Sequence, residues 1–243
     1  AETHGLEPER LIFGNGSDEV FALLNQTYLT AGDNIVCGQY GFLAYRISAK
    51  ACEAEVKLAP EPNFKAEVDA LLAQVDERTR IVYVSNPSNP TGSYNTGEEI
   101  RRLHAALPAH VVLVIDEAYA EYVTEADWET AFPLAKDAEN IVVTRTFSKI
   151  HGLGGLRIGF GYAPLKVAEA SAKVRTRSQI CQIAPAKSRS RTQAPRIRSS
   201  SISRVLRRIR SVRAVAIGAA TVGGWVLAAF AVRPFKKLAQ QTR

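Results

Sequence analysis

The stretch VVLVIDEAYAEY, residues 111–122, places an unbroken apolar run directly before Asp116. A run that is apolar at every position, rather than at every second one, is typical of a strand buried on both faces of a parallel sheet. A carboxylate at the end of such a strand is costly to bury unless a partner compensates its charge. The stretch therefore predicts a sheet covered on both faces, with Asp116 and a partner at its carboxyl edge.

Similar apolar runs continue on both sides of this stretch and alternate with helical patterns. RLIFG, NIVCG, AEVKL, RIVYVS, NIVVTRT and RIGFGYA read as strands, and DEVFALLNQTYL, FKAEVDALLAQV and EEIRRLHAAL read as helices. The second helical pattern has an apolar stripe from Phe64 through Val68, Leu71 and Leu72 to Val75. The predicted fold class is α/β, with a doubly wound, mostly parallel sheet in an α/β/α sandwich that binds its ligand at the carboxyl ends of the strands.

Composition and charge divide the chain into two parts. The chain has 243 residues, 46% of them hydrophobic, which is enough for a substantial core. Residues 1–169 have a net charge of −10, whereas residues 170–243 contain no acid and have a net charge of +17. The three cysteines lack paired spacing, which argues against a disulfide framework or a zinc site. We therefore expect no metal and a cytoplasmic location.

The domain organisation follows this division. We expect a large domain over residues 1–170, a disordered Arg- and Ser-rich segment over 171–213, an Ala-, Gly- and Val-rich apolar segment over 214–232, and a basic tail over 233–243. The apolar segment has the length of a membrane span, and the basic residues suit anionic lipid or nucleic acid. The alternative is that residues from about 175 onward are a shifted reading frame or an unrelated fusion.

Two loops carry candidate ligand-binding residues. In FGNGSDE, residues 13–19, Gly16 belongs to a tight turn, and Ser17 and Asp18 open a helix whose backbone N–H groups can bind phosphate. An ordinary helix cap by Ser17 or Asp18 is the alternative. In SNPSNPTG, residues 85–92, Asn89 before Pro90 either directs its amide into the strand-end crevice or belongs to a plain turn.

A third stretch, TRTFSKIHGLGGLRIGF, spans residues 144–160 and supplies cations and hydroxyls. Lys149 follows a predicted strand and is suited to imine formation, although a surface lysine beside a flexible loop is the alternative. Thr146, Ser148 and Arg157 suit a phosphate. Together with Asp116 as the partner of a ring nitrogen, these residues specify a ligand with a carbonyl, a phosphate and a basic ring: pyridoxal 5'-phosphate (PLP).

The motifs GNGSDE, YGF, NPTG, DEAYAEY and TRTFSKIHGLGGLRIGF also resemble, in this order, those of the fold-type I, class I/II aminotransferases, most closely the histidinol-phosphate aminotransferase branch. The resemblance covers roughly residues 5–175 and implies the large domain of a PLP-transferase with its small domain largely missing. Family members are longer at both ends, and the start AETHGLEPERL has no initiator Met or leader. We therefore expect a fragment.

The resemblance implies a role for each catalytic candidate. Lys149 would form the imine with the cofactor and afterwards carry the proton between substrate and cofactor carbons. Asp116 would keep the pyridine nitrogen protonated, and Tyr119 and Asn89 would bond the ring hydroxyl. Tyr40 of YGF would stack on the ring face.

The same resemblance implies how the cofactor phosphate is held, and which aromatic residues near YGF pack in the core. The phosphate would lie among Gly16, Ser17, Asp18, Thr146, Ser148 and Arg157. Ser17 and Asp18 would bind it largely through backbone amides, whereas Phe42 and Tyr45 are expected to pack.

The implied reaction is transfer of the amino group of L-histidinol phosphate to 2-oxoglutarate in histidine biosynthesis. Other class I/II enzymes share much of the pattern, namely aromatic aminotransferases and a cobalamin-pathway decarboxylase. A non-catalytic product with a membrane- or nucleic-acid-binding basic tail is a further alternative. The resemblance implies a homodimer with a site built across the interface, although the missing N-terminal arm weakens the case for a dimer of this chain.

Overall fold

The computed structural model describes residues 1–175, and within them the predicted sandwich is confirmed. Seven strands form one sheet: β1 Leu11–Asn15, β2 Asn34–Gly38, β3 Glu55–Ala59, β4 Thr79–Ser85, β5 Val112–Asp116, β6 Ile141–Thr146 and β7 Ile158–Tyr162. Six α-helices accompany them: α1 Ser17–Tyr28, α2 Leu43–Ala51, α3 Val68–Leu72, α4 Gly97–Ala106, α5 Phe132–Asp137 and α6 Leu165–Val174. All seven predicted strands are present.

The strand order, β1-β7-β6-β5-β4-β2-β3, explains where the ligand-binding loops meet. Strands β2 to β6 are parallel to one another, whereas β7 is antiparallel to both β6 and β1. The carboxyl ends of β1, β4, β5 and β6 therefore share one edge of the sheet with the start of β7. The predicted ligand-binding residues lie at or after these strand ends, except that Arg157 precedes β7 and YGF follows β2, whose carboxyl end lies at the same edge.

The continuous apolar runs arise because both faces of the central strands are buried. Along β5, Leu113 and Ile115 belong to the core beneath α3, α4 and α5, whereas Val112 and Val114 belong to the core beneath α1, α2 and α6. Successive side chains of a strand point to opposite faces, so a strand covered on both sides must be apolar throughout.

The helical prediction over residues 64–75 was wrong at its start. Phe64 is 60% exposed and has a φ of 60°, and the preceding residue, Asn63, also has a positive φ of 54°. This left-handed pair ends a short 3-10 turn, so the α-helix begins only at Val68. Phe64 therefore does not belong to the apolar stripe, although Val68 and Leu71 are buried as predicted.

The helices α2, α5 and α6 are absent from the helical patterns read in the sequence. The predicted boundary at residue 170 falls within α6, and the division into domains stays a prediction. Between residues 1 and 175, no helix is both long enough and apolar enough to cross a membrane. Residues 171–174 belong to α6, so the predicted disorder over residues 171–213 is wrong at its start. The rest of that segment, the apolar segment 214–232 and the basic tail lie outside the described residues.

Candidate active site

A small cavity at the carboxyl edge of the sheet gathers all but two of the predicted site residues. It is lined by Ser17, Asp18, Phe42, Asn89, Asp116, Ala118, Tyr119, Thr146, Ser148, Lys149 and Arg157. These residues come from stretches far apart in the chain, and the parallel arrangement of β4, β5 and β6 brings them together. The other two predicted residues are Gly16 and Tyr40. Gly16 lies against Arg157, which lines the cavity, whereas Tyr40 lines a separate pocket.

Asp116 lies at the end of β5 with only 4% of its surface exposed. Thr144 Oγ1 donates a hydrogen bond to its Oδ1 at 2.9 Å, and Tyr45 Oη donates one to its Oδ2 at 2.7 Å. Burial raises the pKa of Asp116, the two hydrogen bonds oppose that rise, and the nearby carboxylate of Asp18 adds to it. The acid therefore faces the cavity from a rigid, largely dry position.

The start of α1 forms a cradle with open backbone donors. The helix begins at Ser17, and its N-cap is Gly16, which makes no side-chain capping bond. Neither Ser17 nor Asp18 is therefore the ordinary helix cap that the sequence left open. Because the first N–H groups of a helix lack intrahelical acceptors and carry a partial positive charge, this end of α1 suits an anion.

Arg157 spans this cradle with its guanidinium. Its Nη1 lies 3.4 Å from Ser148 Oγ, and its Nη2 lies 3.4 Å from Asp18 Oδ2 and 3.3 Å from the backbone oxygen of Asn15. A Cβ added to Gly16, whose φ is 76°, would lie 2.6 Å from Arg157 Nη2. Only glycine therefore lets the guanidinium lie against the start of the helix.

Lys149 approaches the cavity from the loop after β6. Its Nζ lies 4.9 Å from the centroid of the Tyr119 ring, which also lines the cavity. Asn89 faces the same space, and its backbone N–H donates to Ser85 Oγ at 3.2 Å, which ties the loop to the end of β4. A larger cleft of about 470 Å³ adjoins the cavity, since Asn89 and Tyr119 line both.

The structure does not bring Tyr40 to this cavity. The Tyr40 ring lies 5.4 Å from that of Phe64, and both line a separate pocket beside Glu61. Phe42 lines the cavity instead. The YGF loop ends at the start of α2, and this turn directs its third residue, rather than its first, toward Asp116.

Sequence reasoning also missed residues that support the cavity from behind. Tyr45 was expected only to pack, yet it bonds Asp116. Arg145 forms ion pairs at 2.8 Å with the buried Glu117 and at 2.7 Å with Glu121, which ties β6 to the loop after β5. A lone arginine within the apolar run VVTRT is the signal that predicts a buried acidic partner.

Gly159 is a further residue that the sequence analysis left unassigned. A Cβ at this position would lie 2.4 Å from the backbone nitrogen of Ser17. Strand β7 can therefore pass beneath the start of α1 only with glycine at this position. A glycine inside a strand is the sequence signal for such a close backbone approach.

The sheet with its strand-end cavity defines a PLP-transferase fold, and comparison with known proteins identifies the class. The family described as aminotransferase class I and II matches residues 1–223, and the chain belongs to this family.

Among curated proteins, histidinol-phosphate aminotransferase 1 of Caulobacter vibrioides is 57% identical over 175 residues, which is 72% of this chain and 49% of that protein. Histidinol-phosphate aminotransferase of Rhodospirillum centenum is 54% identical over 172 residues, or 71% of this chain and 48% of that protein. The chain thus spans about half the length of the curated relatives it matches.

A solved structure shows the same architecture. Histidinol-phosphate aminotransferase from Sinorhizobium meliloti, in complex with pyridoxal-5'-phosphate, superposes with a TM-score of 0.67 and 30% identity over 70% of this chain and 46% of that one. The described residues therefore correspond to part of a fold that occurs in longer chains.

Proposed function

We propose that this chain provides the cofactor-binding body of a PLP-dependent aminotransferase, and that its reaction converts L-histidinol phosphate and 2-oxoglutarate to imidazole-acetol phosphate and L-glutamate. The observation that carries the proposal is that Lys149, Asp116 and the phosphate cradle of α1 and Arg157 line one cavity. The names of the curated relatives support the substrate, and they support a place in histidine biosynthesis. The amino donor and the 2-oxo acid are small molecules, and we place the reaction in the cytoplasm. The homodimer is implied for the family and is not part of the proposal for this chain.

The residues present fit pyridoxal phosphate in charge and in shape. The glycine cradle at Gly16 leaves room beside Arg157 that any Cβ would fill. Thr146 and Ser148 add hydroxyl donors to the cradle. Asp116, a buried acid in the lining of the same cavity, suits the protonated nitrogen of a pyridine ring.

Aromatic and amide side chains of the cavity would contact the pyridine ring of the cofactor. Phe42 offers the aromatic surface at the cavity wall, in place of the predicted Tyr40. Asn89 and Tyr119 face the same space and would bind the ring hydroxyl.

The cofactor, when bound, supplies the electron-withdrawing ring that weakens bonds at the substrate carbon. Asp116 would hold this ring by its nitrogen and the cradle of α1 and Arg157 would hold it by its phosphate, so that the substrate carbon would lie toward Lys149. The Nζ of Lys149 is the amine in the cavity that can accept a proton and return it. Tyr119, beside that amine, restricts its position.

The first test is to locate the cofactor on the chain. The full chain is incubated with PLP, reduced with borohydride and digested, and the pyridoxyl group is located by mass spectrometry. We expect stoichiometric modification of Lys149 that falls strongly in Arg157→Ala. Modification spread over several lysines, or unchanged in Arg157→Ala, contradicts the proposed site.

A second test separates the substrates. Half-reactions of the PLP-loaded chain with histidinol phosphate and with phenylalanine, followed by cofactor absorbance, compare the two amino donors. A faster reaction with histidinol phosphate supports the proposal, whereas a faster reaction with phenylalanine assigns an aromatic aminotransferase. Modification of Lys149 without either half-reaction indicates a chain that binds the cofactor and lacks turnover.

A further inference from the structure

Tyr45 belongs to the wall behind the cavity rather than to its surface. It lies in the first turn of α2, three residues after Phe42, and a helix places such residues on neighbouring positions of one face. Phe42 lines the cavity, whereas Tyr45 is only 1% exposed and reaches Asp116 from behind. The start of α2 therefore supplies both Phe42 at the cavity wall and the buried hydroxyl of Tyr45 behind it.

Aromatic neighbours hold the Tyr45 ring in place. It stacks on Tyr83 with ring centroids 4.5 Å apart and an interplanar angle of 6°. Phe21 meets it edge-on at 4.8 Å, and Phe42 does so at 5.7 Å. Because these contacts involve the ring and not the hydroxyl, the position of the Tyr45 hydroxyl is set by packing, independently of Asp116.

The hydroxyl of Tyr45 is directed at one specific oxygen. It donates to Asp116 Oδ2 at 2.7 Å, while Thr144 donates to the other oxygen at 2.9 Å. A hydrogen bond to the charged form of an acid favours that form. Burial works in the opposite direction, as does the carboxylate of Asp18 from α1.

Other titratable groups around Asp116 come from several elements. Lys149 and Arg157 line the same cavity from the loops beside β6 and β7. Tyr83, on β4, lies behind Tyr45 and donates its own hydroxyl to Asn25 Oδ1 at 2.8 Å. Tyr45 and Thr144 are therefore the side chains within residues 1–175 that bond the Asp116 carboxylate directly.

We propose that Tyr45 is a positioning residue, which keeps Asp116 ionised and fixes the orientation of its carboxylate toward the pyridine nitrogen of the cofactor. The inference rests on the proposed function for the identity of that ligand. It assigns a role to a residue that touches neither substrate nor cofactor and acts through Asp116 alone.

The test compares Tyr45→Phe with the matched variant Tyr83→Phe in the full chain. Each substitution removes one hydroxyl from the same buried stack and leaves both rings in place. Only the first hydroxyl bonds Asp116, whereas the second bonds Asn25. If these hydroxyls had a purely structural role, both substitutions would have similar effects on the titration of Asp116 and on the affinity for PLP.

Two measurements are made on each variant. In the chain without cofactor, a carbon-13 NMR titration of labelled aspartate, with the Asp116 signal assigned by Asp116→Asn, reports the ionisation of that carboxyl. We expect its pKa to rise in Tyr45→Phe and to stay at the wild-type value in Tyr83→Phe. Thr144→Val, which removes the other donor, should also raise it.

The second measurement is the dissociation constant for PLP at neutral pH. Loss of one hydrogen bond to a charged group predicts an increase of about tenfold in Tyr45→Phe, whereas Tyr83→Phe should stay within about twofold of wild type. Equal effects of the two variants, or an unchanged Asp116 titration in Tyr45→Phe, overturn the inference.

The two measurements also separate this inference from the proposed function. A wild-type chain that fails to bind PLP overturns the proposed function, while the NMR titration still decides whether Tyr45 controls Asp116. Should Tyr45→Phe fail to fold, as judged by circular dichroism, wild-type chain labelled at the tyrosine Cζ decides instead. The Tyr45 signal should then shift as Asp116 titrates, and its failure to shift would overturn the coupling.

Discussion

At the scale of single residues, Gly16 shows how closely the backbone and Arg157 are fitted. Its φ of 76° is a conformation that L side chains rarely adopt, and an added Cβ would lie 2.6 Å from Arg157 Nη2. Gly32 provides a matched comparison, because its φ is 93° and an added Cβ would meet nothing within 4 Å. The two glycines share a positive φ and differ in what an added Cβ would meet.

We therefore predict that Gly16→Ala and Gly32→Ala each lower the free energy of unfolding by about 1 kcal/mol or more, because alanine at positive φ is strained. Only Gly16→Ala should weaken PLP binding, by about tenfold, since the guanidinium must move away from the phosphate position. Urea denaturation and absorbance titration with PLP measure the two effects. Equal PLP affinity in both variants would show that Gly16 has no part in the cradle.

At the scale of elements, the side chain of Glu99 links the start of α4 to Lys65, which lies before α3. Thr96 and Glu99 form a reciprocal capping box, in which the Thr96 N–H donates to Glu99 Oε2 at 2.8 Å. Lys65 also donates to the two Glu99 oxygens at 2.7 and 2.9 Å. Although burial opposes it, these bonds lower the pKa of Glu99 below its usual value.

A pH-dependent effect of Glu99→Gln follows from that lowered pKa. An acid whose pKa is lower in the folded state stabilises the fold above its unfolded pKa, and this contribution is lost as the pH falls through the folded pKa. We expect Glu99→Gln to cost about 0.5 kcal/mol at pH 7, because the amide keeps the capping bond and loses the charge that Lys65 and the helix start stabilise. The cost should fall progressively as the pH drops below the usual glutamate pKa of 4.5. Urea denaturation across this range measures the difference.

The adjacent residue supplies the control for this measurement. Glu98 is exposed and belongs to the same first turn, so Glu98→Gln changes the helix charge equally without removing the ion pair with Lys65. A cost of Glu99→Gln that does not vary with pH, or that equals the cost of Glu98→Gln, would contradict the assignment.

At the scale of the whole molecule, the cavity joins parts of the chain that meet only in the folded sheet. The cavity contains residues at or just after the ends of four different strands, namely Ser17, Asn89, Asp116 and Lys149. A ligand that contacts all of them binds the folded state and not the unfolded chain, so its binding energy adds to global stability.

PLP at one hundred times its dissociation constant should therefore raise the free energy of unfolding by about 2.7 kcal/mol. Lys149→Ala should lose most of this gain, because the attachment to the cofactor is removed. Lys166→Ala, which changes an exposed lysine paired with Glu139 at 3.0 Å, should retain it. Denaturation with and without PLP measures both, and an equal gain in the two variants would place the ligand elsewhere.

The strands were predictable from the sequence because burial on both faces leaves a local mark, an uninterrupted apolar run. The helix α2 was not identified, because the apolar residues of Leu43–Ala51 do not form one buried stripe: the helix buries Tyr45 and Ala49, whereas Leu43 and Ile47 are exposed. The false helical start at Phe64 has a related cause. Its apolar spacing suited a helix, but the backbone turns left-handed at Asn63 and Phe64, and spacing carries no record of φ.

The sequence by itself determined the order of buried strands and the residue types at their ends, because side-chain chemistry and strand periodicity are local properties. The tertiary structure alone decided that Phe42 rather than Tyr40 faces the cavity, and that the hydroxyl of Tyr45 bonds Asp116. Tyr45 and Asp116 lie on different elements and meet only when α2 packs against the sheet. Such a contact depends on the direction in which each side chain leaves its element, which no local pattern specifies.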